Sequence, residues 1–199
     1  MPMKPLFFIF IFALLFSLES SPVYASAAEK YYLEAQKATD LDEKIRFLSM
    51  TLKLKPDFSE ALILRGECHF QNNDPGAAEK DLEAFEALGK ITARSIVLRG
   101  NMAHRNGLLD KAEEFFIKAL EADPKYPEAH FRIAHLFISL GQLKENSSYY
   151  EQALTHFMAV PKGNPFYLFS LIQQAKCQEY FQKYEEAEKA YLALTAEDS

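Results

Sequence analysis

Five histidines, two glutamate doublets and two cysteines are the residues of this sequence with the most chemistry to offer. His69, His104, His130, His135 and His156 could carry acid–base or metal chemistry. A metalloprotease helix would need His-Glu-x-x-His spacing, which does not occur; His130 and His135 differ by five residues and so point to different parts of a helix. Glu113-Glu114 and Glu185-Glu186 have the look of paired carboxylates, but adjacent residues on a helix diverge and such doublets form a solvated face. The sequence holds no Gly-x-Gly-x-x-Gly run and no Gly-Lys-Ser/Thr phosphate loop. No nucleophile, base and orienting group assemble into a set. The expectation is therefore a protein that is not an enzyme, with no catalytic residue, no metal and no cofactor.

What must position these side chains is helical. From Ala93 to Tyr126 the chain reads ARSIVLRGNMAHRNGLLDKAEEFFIKALEADPKY. Ile96, Gly100 and Ala103 fall on one side of a 3.6-residue period, Asn106-Gly107 interrupts it, and Ala112, Phe116, Ala119 and Leu120 resume it before Asp123-Pro124. The spacing predicts two antiparallel helices joined by a short turn. Small residues stand where the helices come close, and Phe116 supplies the bulk. Such a hairpin cannot bury its apolar face alone, so it predicts neighbours, and they recur at an offset of 34 residues: Gly66 before Gly100, Ala78 before Ala112, Leu82 before Phe116, Ala134 after Gly100.

On Gly100, Ala112, Phe116, Ala119 and Pro124 the sequence resembles the tetratricopeptide repeat family. The resemblance implies an all-α fold, a right-handed superhelical solenoid of antiparallel helix pairs with about five repeats. Phased on the central unit, the repeats fall near 25–58, 59–92, 93–126, 127–167 and 168–199. In the first, Lys44 and Thr51 replace the usual alanines. In the second, Asp74-Pro75 opens the second helix and Gly89 ends it. The fourth is expanded: Ala153 and Phe157 arrive seven residues late, so Lys144 to Ser148 lengthens the connection or extends a helix. Pro161 to Pro165 is the clearest break, and the last repeat is rich in aromatics.

The family's concave face is built from set positions of each first helix. By phase these include Ile63, Glu67 and Phe70 in the second repeat, Arg94, Val97, Asn101, His104 and Arg105 in the third, and Phe131, His135 and Ile138 in the fourth. Apolar anchors among hydrogen-bonding groups suit a bound peptide or partner helix. Arg94, His104 and Arg105 form its most basic stretch and could receive a carboxylate, whereas Glu60, Glu67 and Glu128 depart from the family's carboxylate-clamp pattern. Ile63, Val97, Phe131 and Ile138 equally suit plain helix packing. Cys68 and Cys177 stand three repeats apart along a solenoid, too far for a disulfide, and read as buried free thiols.

The beginning of the chain differs in kind. Lys4 precedes the apolar run Leu6 to Leu18, followed by polar, turn-prone SPVYASA, with Ala25-Ser26-Ala27 or Val23-Tyr24-Ala25 as a cleavage site. This predicts residues 1–27 as a signal peptide and 28–199 as a solenoid in the periplasm or outside the cell. The competing reading is an uncleaved anchor in the inner membrane, facing the periplasm. Net charge is −6 and no long basic run exists, which excludes nucleic acid as a partner. The function these features imply is a non-catalytic scaffold or adaptor of the bacterial cell envelope, binding another protein or a peptide in its groove. Two further readings stand beside it: a homo-oligomer-forming structural component, and an accessory subunit that positions a partner enzyme.

Overall fold

The computed structural model describes residues 22–197, and all ten regular elements among them are α-helices. Most of the expected export segment, up to Ser21, lies outside the described residues. The remainder corrects one expectation: SPVYASA was expected as turn-prone, yet helix begins at Pro22 and runs through Ala25 and Ala27. Proline fits there because the first turn of a helix has no use for its missing N–H. Among the described residues no helix is long and apolar enough to cross a membrane.

The chain divides into two compact units, ending and beginning at Ile91 and Thr92. The first contains α1 (Pro22–Lys37), α2 (Leu41–Leu54), α3 (Ser59–Gln71) and α4 (Pro75–Ala87), each packed on the next. Local chemistry sets the boundaries. Asp40 caps α2 by accepting from the Glu43 N–H at 2.9 Å, and Asp74 caps α4 by accepting from Ala77 at 2.9 Å, with Pro75 at the first helical position. Leu48, Ala61, Ala78 and Leu82 are fully or almost fully buried between the helices. One polar interaction shares that interior: Asp81, 4% exposed, takes a two-pronged contact from Arg65, Nε to Oδ2 at 2.8 Å and Nη2 to Oδ1 at 2.5 Å. Arg65 also donates to Ser49 Oγ at 3.2 Å, so one guanidinium ties α2, α3 and α4 together.

The second unit contains α5 (Ala93–Arg105), α6 (Leu109–Ala122), α7 (Pro127–Lys144), α8 (Ser148–Met158), α9 (Tyr167–Tyr180) and α10 (Tyr184–Glu197). Consecutive helices pack together, and α5 also touches α7. Thr92 and Ser95 form a reciprocal capping box at the start of α5. Gly107 closes its end at φ +73°, a backbone state that favours glycine. Gly100 is small for a different reason: a Cβ there would lie 2.7 Å from Cδ1 and 3.1 Å from Cζ of the buried Phe116. The seven extra residues of the fourth repeat go mainly into helix. α7 has 18 residues where α5 has 13, and α8 then takes two more before Ala153. Leu140 and Gly141 are buried in that extension, with Gly141 admitting Tyr150.

Cys68 in the first unit and Cys177 in the second are both free and buried. Burial pushes the Cys177 thiol up to about 11, which leaves it protonated and inert at neutral pH.

Candidate functional site

α5 and α7 lie side by side in the second unit, so the stripe carrying Arg94, Val97, Asn101, His104 and Arg105 runs next to that carrying Phe131, His135 and Ile138. The two stripes divide by exposure. Val97 (1% exposed) and Phe131 (8%) belong to the same buried cluster and fill the interior of the unit. Ile63, in the first unit, is buried likewise. These three present almost no surface; their place is in the packing, because small residues such as Gly66, Gly100 and Ala134 bring the helices close enough to enclose them. Ile138 is half-buried against the cluster. Arg94, Asn101 and His135 are half-buried, His104 and Arg105 are exposed, and in the first unit Glu67 and Phe70 are half-buried.

Around His135 the side chains form an ordered group. Its ring stands edge-on to Phe131 at 4.5 Å and to Phe157 at 5.3 Å. Phe131 stacks on Phe166 at 4.6 Å, and the Arg132 guanidinium lies 5.8 Å and 5.6 Å from the centres of these two rings. Glu128 fixes the guanidinium one turn back, accepting from Nε at 3.2 Å and Nη2 at 3.0 Å. Burial, then Arg132, then His104 lower the pKa of His135 below its usual 6.5. At neutral pH the imidazole is therefore uncharged and offers one donor and one acceptor, with a guanidinium and a second histidine nearby. That arrangement can orient a polar or anionic group beside the half-buried Phe166 ring, with Phe131 and Phe157 enclosed beneath it. Phe166 was not among the residues expected from the sequence, because it follows Asn164-Pro165, which signals a loop; there Asn164 Oδ1 accepts from the Phe166 N–H at 3.0 Å and sets its position.

A second histidine pair was invisible in the sequence. His130 on α7 and His156 on α8 meet Nδ1 to Nδ1 at 2.9 Å, while His130 Nε2 lies 3.0 Å from the Pro124 carbonyl. No periodicity links positions 26 residues apart on facing helices. Burial first, and His130 second, bring the pKa of His156 down to about 4. Among the described residues no group of three or more His, Cys, Asp or Glu side chains is placed to hold a metal ion.

The sequence matches tetratricopeptide-repeat family profiles over residues 72–127 and again over 127–155. Residues 72–155 are tetratricopeptide repeats. The matched residues span α4 to most of α8 and so include the α5 and α7 stripes. No curated protein matches it in sequence. Among solved structures it is similar in fold to PilF of Pseudomonas aeruginosa (14% identity, TM-score 0.63, covering 87% of this chain and 77% of that one). MamA is similar at 18% identity and a TM-score of 0.55, covering 85% and 86%. YrrB, a tetratricopeptide-repeat protein with an unusual peptide-binding site, is similar at 18% identity and a TM-score of 0.52, covering 91% and 88%. Tetratricopeptide repeats are in general modules of protein–protein interaction.

Proposed function

We propose that this protein is a non-catalytic adaptor of the bacterial cell envelope that binds a peptide or helix of another protein along the exposed parts of α5 and α7. The observation that carries the reading is the group at the α7 stripe: neutral His135 between Phe131 and Phe157, with Arg132 held over the Phe131–Phe166 stack. With His104, Arg105 and Asn101 on the adjacent helix, it offers hydrogen bonds and positive charge beside the half-buried Phe166 ring. Export is supported by Lys4, the apolar run from Leu6 to Leu18 and the small residues at Ala25 and Ala27.

The test is a pull-down from an envelope fraction with wild type and the His104→Glu/Arg105→Glu variant. A partner retained by wild type and lost from the variant supports the reading; identical profiles reject it. Mass spectrometry of the N-terminus addresses localisation, since an intact Met1 in the inner-membrane fraction would replace soluble export with an anchor.

Self-association is favoured by a separate observation. On α9 and α10 Phe169 (62% exposed), Tyr180 (55%), Tyr184 (66%) and Leu192 (60%) stand in solvent. Sedimentation over a wide concentration range separates the readings, a strictly monomeric protein excluding this one.

A further inference from the structure

The outer side of the second unit holds a cleft whose chemistry is unlike that of the α5–α7 face. It has a volume of about 420 Å³ and lies among α6, α7 and α8. Ile117, Leu120, Ile133 and Phe137 provide its apolar lining, and Glu113, Glu121, Gln152 and His156 its polar groups. Each of those four offers an acceptor. The carboxylates of Glu113 and Glu121 make no ion pair among the described residues; Lys118 is taken by Glu114 at 2.6 Å, and Lys144 by Tyr149 Oη at 3.0 Å, acting on Glu113 only through space. Gln152 spends a donor on the Ser148 carbonyl, which leaves its oxygen open.

His156 is fixed as an acceptor by its neighbour. The Pro124 carbonyl can only accept, so a neutral His130 ring carries its proton on Nε2 and leaves Nδ1 bare. His156 must then donate from Nδ1, and its Nε2 is left with a lone pair. Glu113, Ile117 and Glu121 follow one another at steps of four along α6, so the two glutamates are separated by about 12 Å along the helix axis with an apolar residue between them.

We propose that this cleft receives an amphipathic helix of a partner protein, with an aliphatic side chain entering between Ile117, Leu120, Ile133 and Phe137 and a lysine or arginine on either side facing Glu113 and Glu121. Charge complementarity selects this occupant: a helix presenting basic residues two turns apart matches the carboxylate spacing and finds only acceptors along the wall. Ile117, 43% exposed, is the contact the helix would cover first.

The experiment is a fluorescence-anisotropy titration of the full chain against an acetylated, amidated alanine-rich helical peptide carrying one leucine with lysines at i−4 and i+4. Saturable binding is expected, about tenfold weaker for Glu113→Gln/Glu121→Gln and for Ile117→Ser, and weaker again at high salt. His104→Glu/Arg105→Glu should bind the peptide as wild type does, which separates this cleft from the α5–α7 face. Circular dichroism of each variant establishes that it is folded. No saturable binding up to about 1 mM, equal binding of a peptide with glutamates in place of the lysines, or variants that bind like wild type would overturn the proposal.

Discussion

Replacing Gly100 by alanine tests how the repeat hairpin is packed. In an exposed helix interior, glycine to alanine stabilises by about 1 kcal/mol, because alanine restricts the unfolded chain. At Gly100 the new Cβ would meet three atoms of the Phe116 ring, with Cδ1 at 2.7 Å and Cζ at 3.1 Å. Phe116 is 1% exposed and packed on all sides, so the ring has nowhere to retreat. Overpacking of this kind costs about 1–3 kcal/mol, and a clash with a rigid ring belongs at the upper end. The net expectation is a loss of about 1–2 kcal/mol. Gly76 is the internal control, since the nearest atom to a Cβ there is Asp74 Oδ1 at 3.7 Å. Gly76→Ala should raise stability by a few tenths of a kcal/mol to about 1. Phe116→Leu removes the ring and costs about 1–2 kcal/mol alone, but in its presence Gly100→Ala should become neutral or stabilising. The assay is urea unfolding followed by circular dichroism at equal protein concentration, comparing midpoints. If Gly100→Ala stabilises as much as Gly76→Ala, or if the double variant shows no coupling, the account of the α5–α6 contact is wrong.

Three further outcomes follow from the same structure. Asp81→Ala should destabilise the first unit by about 3 kcal/mol, since it leaves Arg65 without its carboxylate, whereas Asp81→Leu/Arg65→Leu should lose much less; equal losses would count against a buried ion pair. His156 binds a proton more readily unfolded (about 6.5) than folded (about 4), so its contribution is complete above pH 6.5 and is lost as pH falls towards 4. The full shift corresponds to about 3 kcal/mol, and solvent reaching the half-buried ring reduces this to about half. Unfolding of wild type and His156→Phe between pH 7.5 and 4 should therefore show a shallower acid loss in the variant, and parallel curves would contradict the argument. Cys68 and Cys177 should resist a thiol reagent in the native state and react together on unfolding; rapid native labelling of Cys177 would show that its burial is overstated.

The parts of this fold legible in the sequence are those set by period and by local caps. Gly100, Ala112 and Phe116 repeat because two helices must approach closely, and Asp74-Pro75 announces a helix start through chemistry within one turn. Whether seven extra residues extend a loop or a helix was open in the sequence, and the burial of Leu140 and Gly141 decides for the helix. Face assignment was less legible. Val97 and Phe131 occupy positions of the same phase as Asn101 and His135, yet the first two are enclosed. Periodicity fixes direction around a helix and not the depth at which a neighbour covers it. The pairing of His130 with His156 and the stacking of Phe166 on Phe131 depend on helix-to-helix distances that no local pattern encodes.

The central claim is that the exposed stripe of α5 and α7 binds a partner protein. It is tested most directly by site-specific photo-crosslinking in cells, with the crosslinking side chain at Asn101, His104 or Ile138 and, as control, at the exposed Lys111 on α6. One common adduct is expected from the three stripe positions and none from Lys111. Absence of an adduct at all three, or the same adducts from Lys111, would contradict it.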